Sequence, residues 1–180
     1  LLGEGGTARV YRVRHTTLET VHALKVLTLD HPQIRVRLLA EGKAQAKLVH
    51  PNIVPVRDVL DANGVPALLM DFVPGPSLSD VLKGGLPPPK EVARIFRAIV
   101  EGVGFAHSRA LIHRDLKPGN ILLDHSSDPP PPRITGFGLV RLLNLPADAT
   151  RQTAAGVTMG TFGYMAPEQF RDAHTANERT

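Results

Sequence analysis

Residues 113–120 read His113-Arg114-Asp115-Leu116-Lys117-Pro118-Gly119-Asn120, which puts an imidazole, a carboxylate, two cations and an amide within eight positions. A carboxylate can orient a hydroxyl and accept its proton, an ammonium can neutralise an anionic group in transit, and an amide oxygen suits a hard cation. An ordinary polar loop after a helix is the plain alternative. A second chemical segment opens the chain, Leu2-Gly3-Glu4-Gly5-Gly6-Thr7-Ala8-Arg9-Val10. Glycines let a backbone close over phosphate oxygens with its N–H groups aimed inward. Alone, such a run is equally a flexible turn. A dinucleotide-binding fold would need a helix directly after the glycines, and here a strand pattern follows.

These residues need elements to position them. Residues 10–14 alternate apolar and charged side chains, the period of a half-buried strand, and 21–29 form a second strand-like run. Over 33–49, Ile34, Leu38, Glu41, Gln45 and Leu48 recur at helical spacing, with Gly42 weakening the helix by about 1 kcal/mol relative to Ala. His50-Pro51-Asn52 breaks that helix, 53–56 reads as a strand, and 66–73 as a buried apolar run ended by Pro74-Gly75-Pro76. Ser77 is placed to cap a short helix. Residues 90–107 form an amphipathic one through Val92, Ile95, Phe96, Ile99, Val100 and Val103. Strands with one helix, a Pro/Gly joint and then a helical region imply two lobes and a hinge. Pro129 to Pro132 form a stiff extended stretch that a proline-recognising partner could engage.

Composition narrows the function classes. The chain has 180 residues, 42% apolar and 21% charged, as in an ordinary globular protein. No apolar run approaches the roughly 18–20 residues of a membrane span, and no signal peptide opens the chain. It begins at Leu1 without an initiator Met, which reads as a cut into a longer protein. Cysteine is absent, which removes disulfides, thiolate zinc sites and cysteine nucleophiles and fits a reducing cytoplasm. The net charge of +4 comes from scattered Lys and Arg, and aromatic residues are only 4% of the chain, so no nucleic-acid surface is expected.

Seven of the eight positions from His113 to Asn120 match the catalytic-loop pattern of protein kinases, and Lys-Pro after Asp-Leu resembles the serine/threonine type. The glycine run resembles that family's phosphate loop, with Ala8 at its usual third glycine. Ala23-Leu24-Lys25 resembles its phosphate-binding strand, and Glu41, nine residues before His50, the helix glutamate that pairs with that lysine. Leu68-Leu69-Met70-Asp71-Phe72-Val73-Pro74-Gly75 looks like the hinge. Gly160-Thr161-Phe162-Gly163-Tyr164-Met165-Ala166-Pro167-Glu168-Gln169 resembles the end of the activation segment in bacterial serine/threonine kinases. The resemblance spans residues 1–169.

It implies an α+β, bilobal protein-kinase-like fold with an antiparallel N-lobe sheet and one helix over 1–70. A hinge follows at 71–76, then a mainly helical, incomplete C-lobe over 77–180, whose remaining helices would lie beyond Thr180. It implies transfer of the ATP γ-phosphoryl group to Ser or Thr hydroxyls of proteins, with Mg²⁺ or Mn²⁺, by a cytoplasmic domain whose full-length form could be anchored elsewhere. Asp115 would be the base, Lys117 would support the phosphoryl group, and Asn120 would hold metal. Gly3 and Gly5 would cover the phosphates, and Lys25 paired with Glu41 would fix them. Met70 would be the gatekeeper, with Asp71 and Val73 bonding adenine through their backbone. Leu2, Val10, Ala23 and Leu122 would sandwich the ring, although each could equally be core. Thr161 would contact Asp115 and Lys117. Thr150, Thr153 and Thr158 are candidate autophosphorylation sites, acting in trans, with Arg114 as the cation that reads the phosphate.

One position departs from the pattern. Where the family has Asp-Phe-Gly, this chain reads Arg133-Ile134-Thr135-Gly136-Phe137-Gly138. The expected carboxylate bridges magnesium to the β- and γ-phosphates, and removing one preorganised electrostatic group commonly costs roughly 10²–10³ in rate. Asn120 remains, and Asp124 and Asp128 are the next carboxylates along the chain. Three readings stay open: a kinase whose magnesium rests on Asn120 and substrate oxygens, a pseudokinase acting by interaction, or a single-base change in an ordinary kinase. Retention of Lys25, Glu41, Asp115, Lys117 and Asn120 argues against long neglect of the site.

Overall fold

The computed structural model describes residues 1–5, 8–28, 32–62, 64–137, 162–171 and 177, with the side chains at 32–35, 37, 41, 162, 170 and 171 outside that description. Five antiparallel strands form one sheet in the order β1-β2-β3-β5-β4: β1 is Gly3–Glu4, β2 Ala8–Arg14, β3 Val21–Leu27, β4 Val56–Ala62 and β5 Val65–Asp71. The register sets Val10 beside Lys25 and Lys25 beside Leu68, while Ala23 lies beside Met70. Strand alternation puts these side chains on one face. There Ala8, Ala23, Leu27, Leu68 and Met70 are buried with Leu38, Val54, Val56 and Val73 in a common apolar core.

Helix α1, Pro32–Gln45, crosses that sheet. The expected helix to residue 49 stops at Gln45, because Leu48 turns into a second core and Pro51 cannot continue the ladder. Gly42 is not merely a weak helix position. A Cβ there would collide with Val59 Cγ2 and lie 3.1 Å from Leu68 Cδ2, so the missing side chain sets how closely α1 approaches the sheet. The strand expected over 53–56 is also corrected. Ile53 makes a lone parallel bridge with Ile134, Pro55 has no N–H to offer a ladder, and regular pairing begins at Val56.

Beyond β5 the chain pairs with a two-stranded sheet, β6 (Ile121–Leu123) and β7 (Pro132–Ile134). The main chain of Pro74 and Pro76 accepts from His125 and Leu123, and Gly75 sits so close to the Leu123 carbonyl that no Cβ fits. Helix α2, Leu78–Lys83, is capped by Ser77, whose Oγ accepts from Asp80 N at 3.1 Å, as the sequence suggests. Helix α3, Pro89–His107, buries Ile95, Gly102 and Ala106. Ile99 and Val103 pack against a second core of Leu48, Ile53, Ala106, Ile121, Ile134 and Phe137. Only part of the apolar face read from the sequence is covered: Val92, Phe96 and Val100 form an exposed row at i, i+4, i+8. A short helix α4, Pro167–Arg171, ends the described elements.

The proline stretch is not a free extended ligand. Its carbonyls serve the fold: Pro130 accepts from Arg94, Pro131 from Asp124 N, and Pro132 from Asn52 Nδ2. Only Pro129 of the four is exposed, whereas a proline-recognising groove needs a continuous ridge.

The geometry at Gly42 yields a prediction of opposite sign to helix propensity. Gly42→Ala should destabilise the protein by about 1–3 kcal/mol through overpacking, although propensity alone would stabilise it by about 1 kcal/mol. Urea unfolding midpoints of the two proteins decide between these, and a more stable Ala variant would refute the contact argument.

Candidate active site

Residues 111–120 leave α3 as an irregular loop and return through a 3₁₀ turn, Pro118–Asn120, into β6. The loop is organised around His113. Its Nδ1 accepts from Asp115 N at 3.2 Å, and its Nε2 lies 3.0 Å from the carbonyl of Thr135. Because Nδ1 is an acceptor, the proton sits on Nε2, which donates to Thr135. The ring packs against Phe137 with centroids 4.6 Å apart. Burial pushes the His113 pKa down to about 4, so the imidazole is neutral at physiological pH.

The chemical groups then fall together. Lys117 Nζ lies 2.9 Å from Asp115 Oδ2, and Asn120 Nδ2 donates to both the main-chain oxygen of Asp115 (2.7 Å) and its Oδ2 (3.0 Å). Thr135 N donates to the carbonyl of Asn120 at 2.9 Å, fixing the loop against the residue before Gly136. Lys25 stands close enough to feel both Asp115 and Lys117. Burial lowers its pKa to about 8, opposed by Asp115, so its ammonium is charged at neutral pH.

Above this polar floor, Ala23, Met70 and Val73 share one core, with Val10 and Leu122 packed against it, so three of the four expected ring contacts lie together with the expected gatekeeper. Leu2 does not join them; it is 49% exposed and donates its N–H to Val10 O. The Asp71 N–H is held by Pro55 O, and its carboxylate is gripped by Arg57 through Nε and the terminal nitrogen, both at 2.6 Å. Val73 is buried, and neither its N–H nor its C=O bonds any other described residue. Gly3 and Gly5 are not demanded by packing: a Cβ at 3 meets nothing within 4 Å, and one at 5 meets only Ala8 O at 3.8 Å. Their lack of side chain suits an approach from outside the chain.

Several expected residues lie outside the description: the Glu41 side chain, Gly160 and Thr161, and Thr150, Thr153 and Thr158. Arg114 is described, with φ +66° and a buried Nε that has no hydrogen-bond partner.

The donor set fits a phosphate-bearing ligand better than a divalent cation. Asn120 contributes one neutral oxygen, Asp115 is already engaged by Lys117 and Asn120, and Gly136 has no side-chain oxygen to add. Asp124 does not substitute, because Ser126 and Arg133 occupy its carboxylate, and Asp128 is exposed on the proline turn. Among the described residues no cluster of three or more His, Cys, Asp or Glu could hold a metal. Magnesium prefers charged oxygens at strict geometry, and these residues do not supply them.

Three positioning residues were given no role by the motif reading, although Thr135 and Gln169 lie within its segments. Gln45 is buried and donates from Nε2 to Phe137 O at 2.7 Å, tying α1 to the segment after Gly136. Thr135 joins Met70, Asn120 and His113, its hydroxyl 4.0 Å from the Met70 sulfur. Gln169 donates to Arg114 O at 2.9 Å and accepts from Ala166 N, linking α4 to the catalytic loop. Helical spacing marked Gln45 as inward-facing; Gln169 closed a recognised motif, and no local pattern gave Thr135 or Gln169 its partner.

A family model described as the protein kinase domain matches residues 1–179. The chain belongs to the protein kinase domain family. It is 40% identical over 177 residues to the serine/threonine-protein kinase PknF of Mycobacterium tuberculosis, covering 93% of this chain and 36% of that protein. It is 32% identical over 176 residues to the serine/threonine-protein kinase PrkC of Bacillus subtilis, covering 95% of this chain and 26% of that protein. This kinase domain thus spans about a third of the length of the curated relatives it matches. The crystal structure of the Mycobacterium tuberculosis PknI kinase domain superposes with TM-score 0.67 at 31% identity, over 76% of this chain and 57% of that one. The expected α+β kinase architecture, an antiparallel sheet with one helix followed by a partial helical lobe, is the one observed. No described helix is long and apolar enough to cross a membrane.

His113 makes the kinase domain acid-sensitive in a defined window. Its folded pKa of about 4 lies below the unfolded 6.5, so its contribution is complete above pH 6.5 and lost as pH falls towards 4. The full loss is about 3 kcal/mol. Urea midpoints across that window should slope less in His113→Phe, which keeps a packed ring but cannot titrate. An equally steep acid limb in the variant would assign the proton to another group.

Proposed function

We propose that this chain is the nucleotide-binding and catalytic segment of a serine/threonine protein kinase that transfers the ATP γ-phosphoryl group to protein Ser or Thr hydroxyls, at a rate held down by Gly136. The observation that supports this most directly is Asp115, Lys117 and Asn120 meeting within hydrogen-bond distance on a loop that faces Lys25. In this reading Asp115 orients the hydroxyl and accepts its proton as the oxygen attacks the γ-phosphorus, and the bond to the ADP oxygen breaks. Lys117, already beside Asp115, offsets charge on the transferring group, and Lys25 holds the other phosphates. The main chain of Val73 meets adenine, between apolar contacts from Val10, Ala23 and Leu122. The segment divides into an N-lobe over 1–70, a hinge over 71–76 and part of a C-lobe from 77, working in the cytoplasm on protein substrates. Autophosphorylation in trans at Thr150, Thr153 or Thr158 would give Arg114 its phosphate.

One observation favours a second reading. Gly136 carries no carboxylate beside Asn120, which suits a pseudokinase that binds nucleotide and acts by interaction. The full-length protein and its Gly136→Asp variant, incubated with γ-labelled ATP and Mg²⁺ or Mn²⁺, separate the two. The kinase reading expects weak self-labelling that rises by roughly 10²–10³ in the variant. Equal, robust labelling of both would remove the pseudokinase reading; no labelling of either would remove the kinase reading.

Lys25 adds a pH dependence. Its pKa, lowered from 10.5 to about 8, means the cation is present near neutrality and lost above 8. ATP affinity should be level below that point and then fall by up to about tenfold per pH unit. Lys25→Met should bind weakly at every pH and lack the alkaline limb, as read by titration calorimetry.

A further inference from the structure

The segment proposed as the hinge begins at Asp71, and an irregularity in the sheet delivers an arginine to it. β4 and β5 pair with a shift of register: Val56 lies beside Met70 and Asp58 beside Leu69, which leaves Arg57 as the extra residue on its strand. A bulge takes its extra residue out of the ladder and re-aims the side chain. Here that side chain reaches Asp71, with Nε donating to Oδ1 and Nη2 to Oδ2, both at 2.6 Å. A planar guanidinium can grip a carboxylate by both oxygens at once, which the point charge of a lysine does not do. The main chain adds a third tie, Asp71 N donating to Pro55 O at 3.1 Å. The Arg57 side chain is 55% exposed and that of Asp71 33%. Exposed ion pairs contribute little to stability, so the consequence of this pair lies in what it orients.

The residues that follow are held as well. Arg12 of β2 lies over the Phe72 ring, its guanidinium carbon 5.2 Å from the centroid. Pro74 O accepts from His125 N and Pro76 O from Leu123 N. Val73, between them, is buried, and its N–H and C=O bond no other described residue. Residues 71, 72, 74 and 76 are thus tied to their surroundings, and the main chain of Val73 is left to a ligand.

We infer that Arg57 is a positioning residue for purine recognition: by clamping the Asp71 carboxylate from the β4 bulge, it fixes the angle at which the Val73 main chain is presented to the base. The inference rests on the nucleotide-binding reading above and concerns the base alone. Adenine and guanine carry opposite hydrogen-bonding groups at the same ring position, an amino donor in one and a carbonyl acceptor in the other. A peptide held at one angle rewards one pattern and leaves a polar group of the other unpaired, whereas a peptide free to tilt accommodates both. Arg57 therefore acts on the choice between purines, through Asp71, without touching either.

The test is titration calorimetry of ATP, with GTP as competitor, on the full-length protein and its Arg57→Met variant, which keeps the side-chain stem and loses the fork. ATP affinity should fall by roughly three- to tenfold, and GTP should compete against ATP better in the variant by a similar factor. An unchanged ATP affinity would overturn the inference while leaving the nucleotide reading intact. So would GTP that competes no better than in the wild type, because a general loosening of the fold weakens both nucleotides alike. No binding of ATP to the wild type would overturn both. Asp71→Asn supplies the second arm, since it keeps the main-chain tie to Pro55 and loses the charged clamp. It should lower ATP affinity by about the same factor as Arg57→Met, and the double variant should lose no more than about twofold beyond either single one. Losses that multiply would show that the two residues act separately and would also overturn the inference.

Discussion

A single buried, neutral imidazole holds the catalytic segment in shape. His113 accepts from the backbone of Asp115 and donates to the backbone of Thr135, so one ring spans the loop that carries the acid and the strand that leads to Gly136. Both bonds require the same tautomer, and burial against Phe137 enforces neutrality by penalising the charged form. A second rung, Thr135 N to Asn120 O, closes the same two segments from the other side. Asp115 and Asn120 therefore owe their positions less to their own side-chain contacts than to a residue that never meets the ligand in the proposed reaction.

The same segment joins the two halves of the molecule. Ile134, fully buried, accepts from Val54 N and donates to Asn52 O, both at 2.8 Å, while Asn52 Nδ2 donates to Pro132 O. Gln45 reaches Phe137 O from α1. Each buried bond contributes about 1 kcal/mol, and orphaning one of its partners costs about 1–3 kcal/mol. Displacing α1 from the cleft would break the Gln45 bond in a dry environment, so helix position and active-site backbone are coupled. On the opposite side Pro76 O accepts from Leu123 N at the end of β6, and Pro74 O accepts from His125 N just beyond it.

What could be read from the sequence was chemistry carried by residue type at short separation: Asp115, Lys117 and Asn120 lie within one loop, while Lys25 stood out only through the resemblance of Ala23-Leu24-Lys25 to the family's strand. Ties across the fold were not readable, because periodicity says which face of an element is apolar and not what lies against it. Gln45 looked like one more inward position on a helix, yet its amide serves a carbonyl 92 residues away. Residues 53–56 looked like a strand by composition, but Pro55 and the demand for a bridge to Ile134 leave that segment irregular. Asp124 lay near enough in sequence to suggest a replacement ligand. Its carboxylate instead closes a turn with Ser126 and Arg133, a partnership with no local signature.

The glycines separate what the fold requires from what the ligand requires. Gly42 and Gly102 lack room for a side chain: Val59 blocks the first, and Ile134 Cδ1 would lie 2.8 Å from a Cβ at the second. Gly3 and Gly5 have room that the described residues do not use. Gly136 belongs to neither group. Its surroundings accept a Cβ at ordinary contact distances, while its φ of +86° is a conformation that aspartate tolerates at a cost on the order of 1 kcal/mol. His113 and Asn120 hold the preceding residue, Thr135, in place. Exchanging carboxylate for hydrogen at such a point relieves backbone strain, leaves the fold undisturbed and removes one negative charge from the floor of the cleft. The departure at this position is accordingly electrostatic and not architectural.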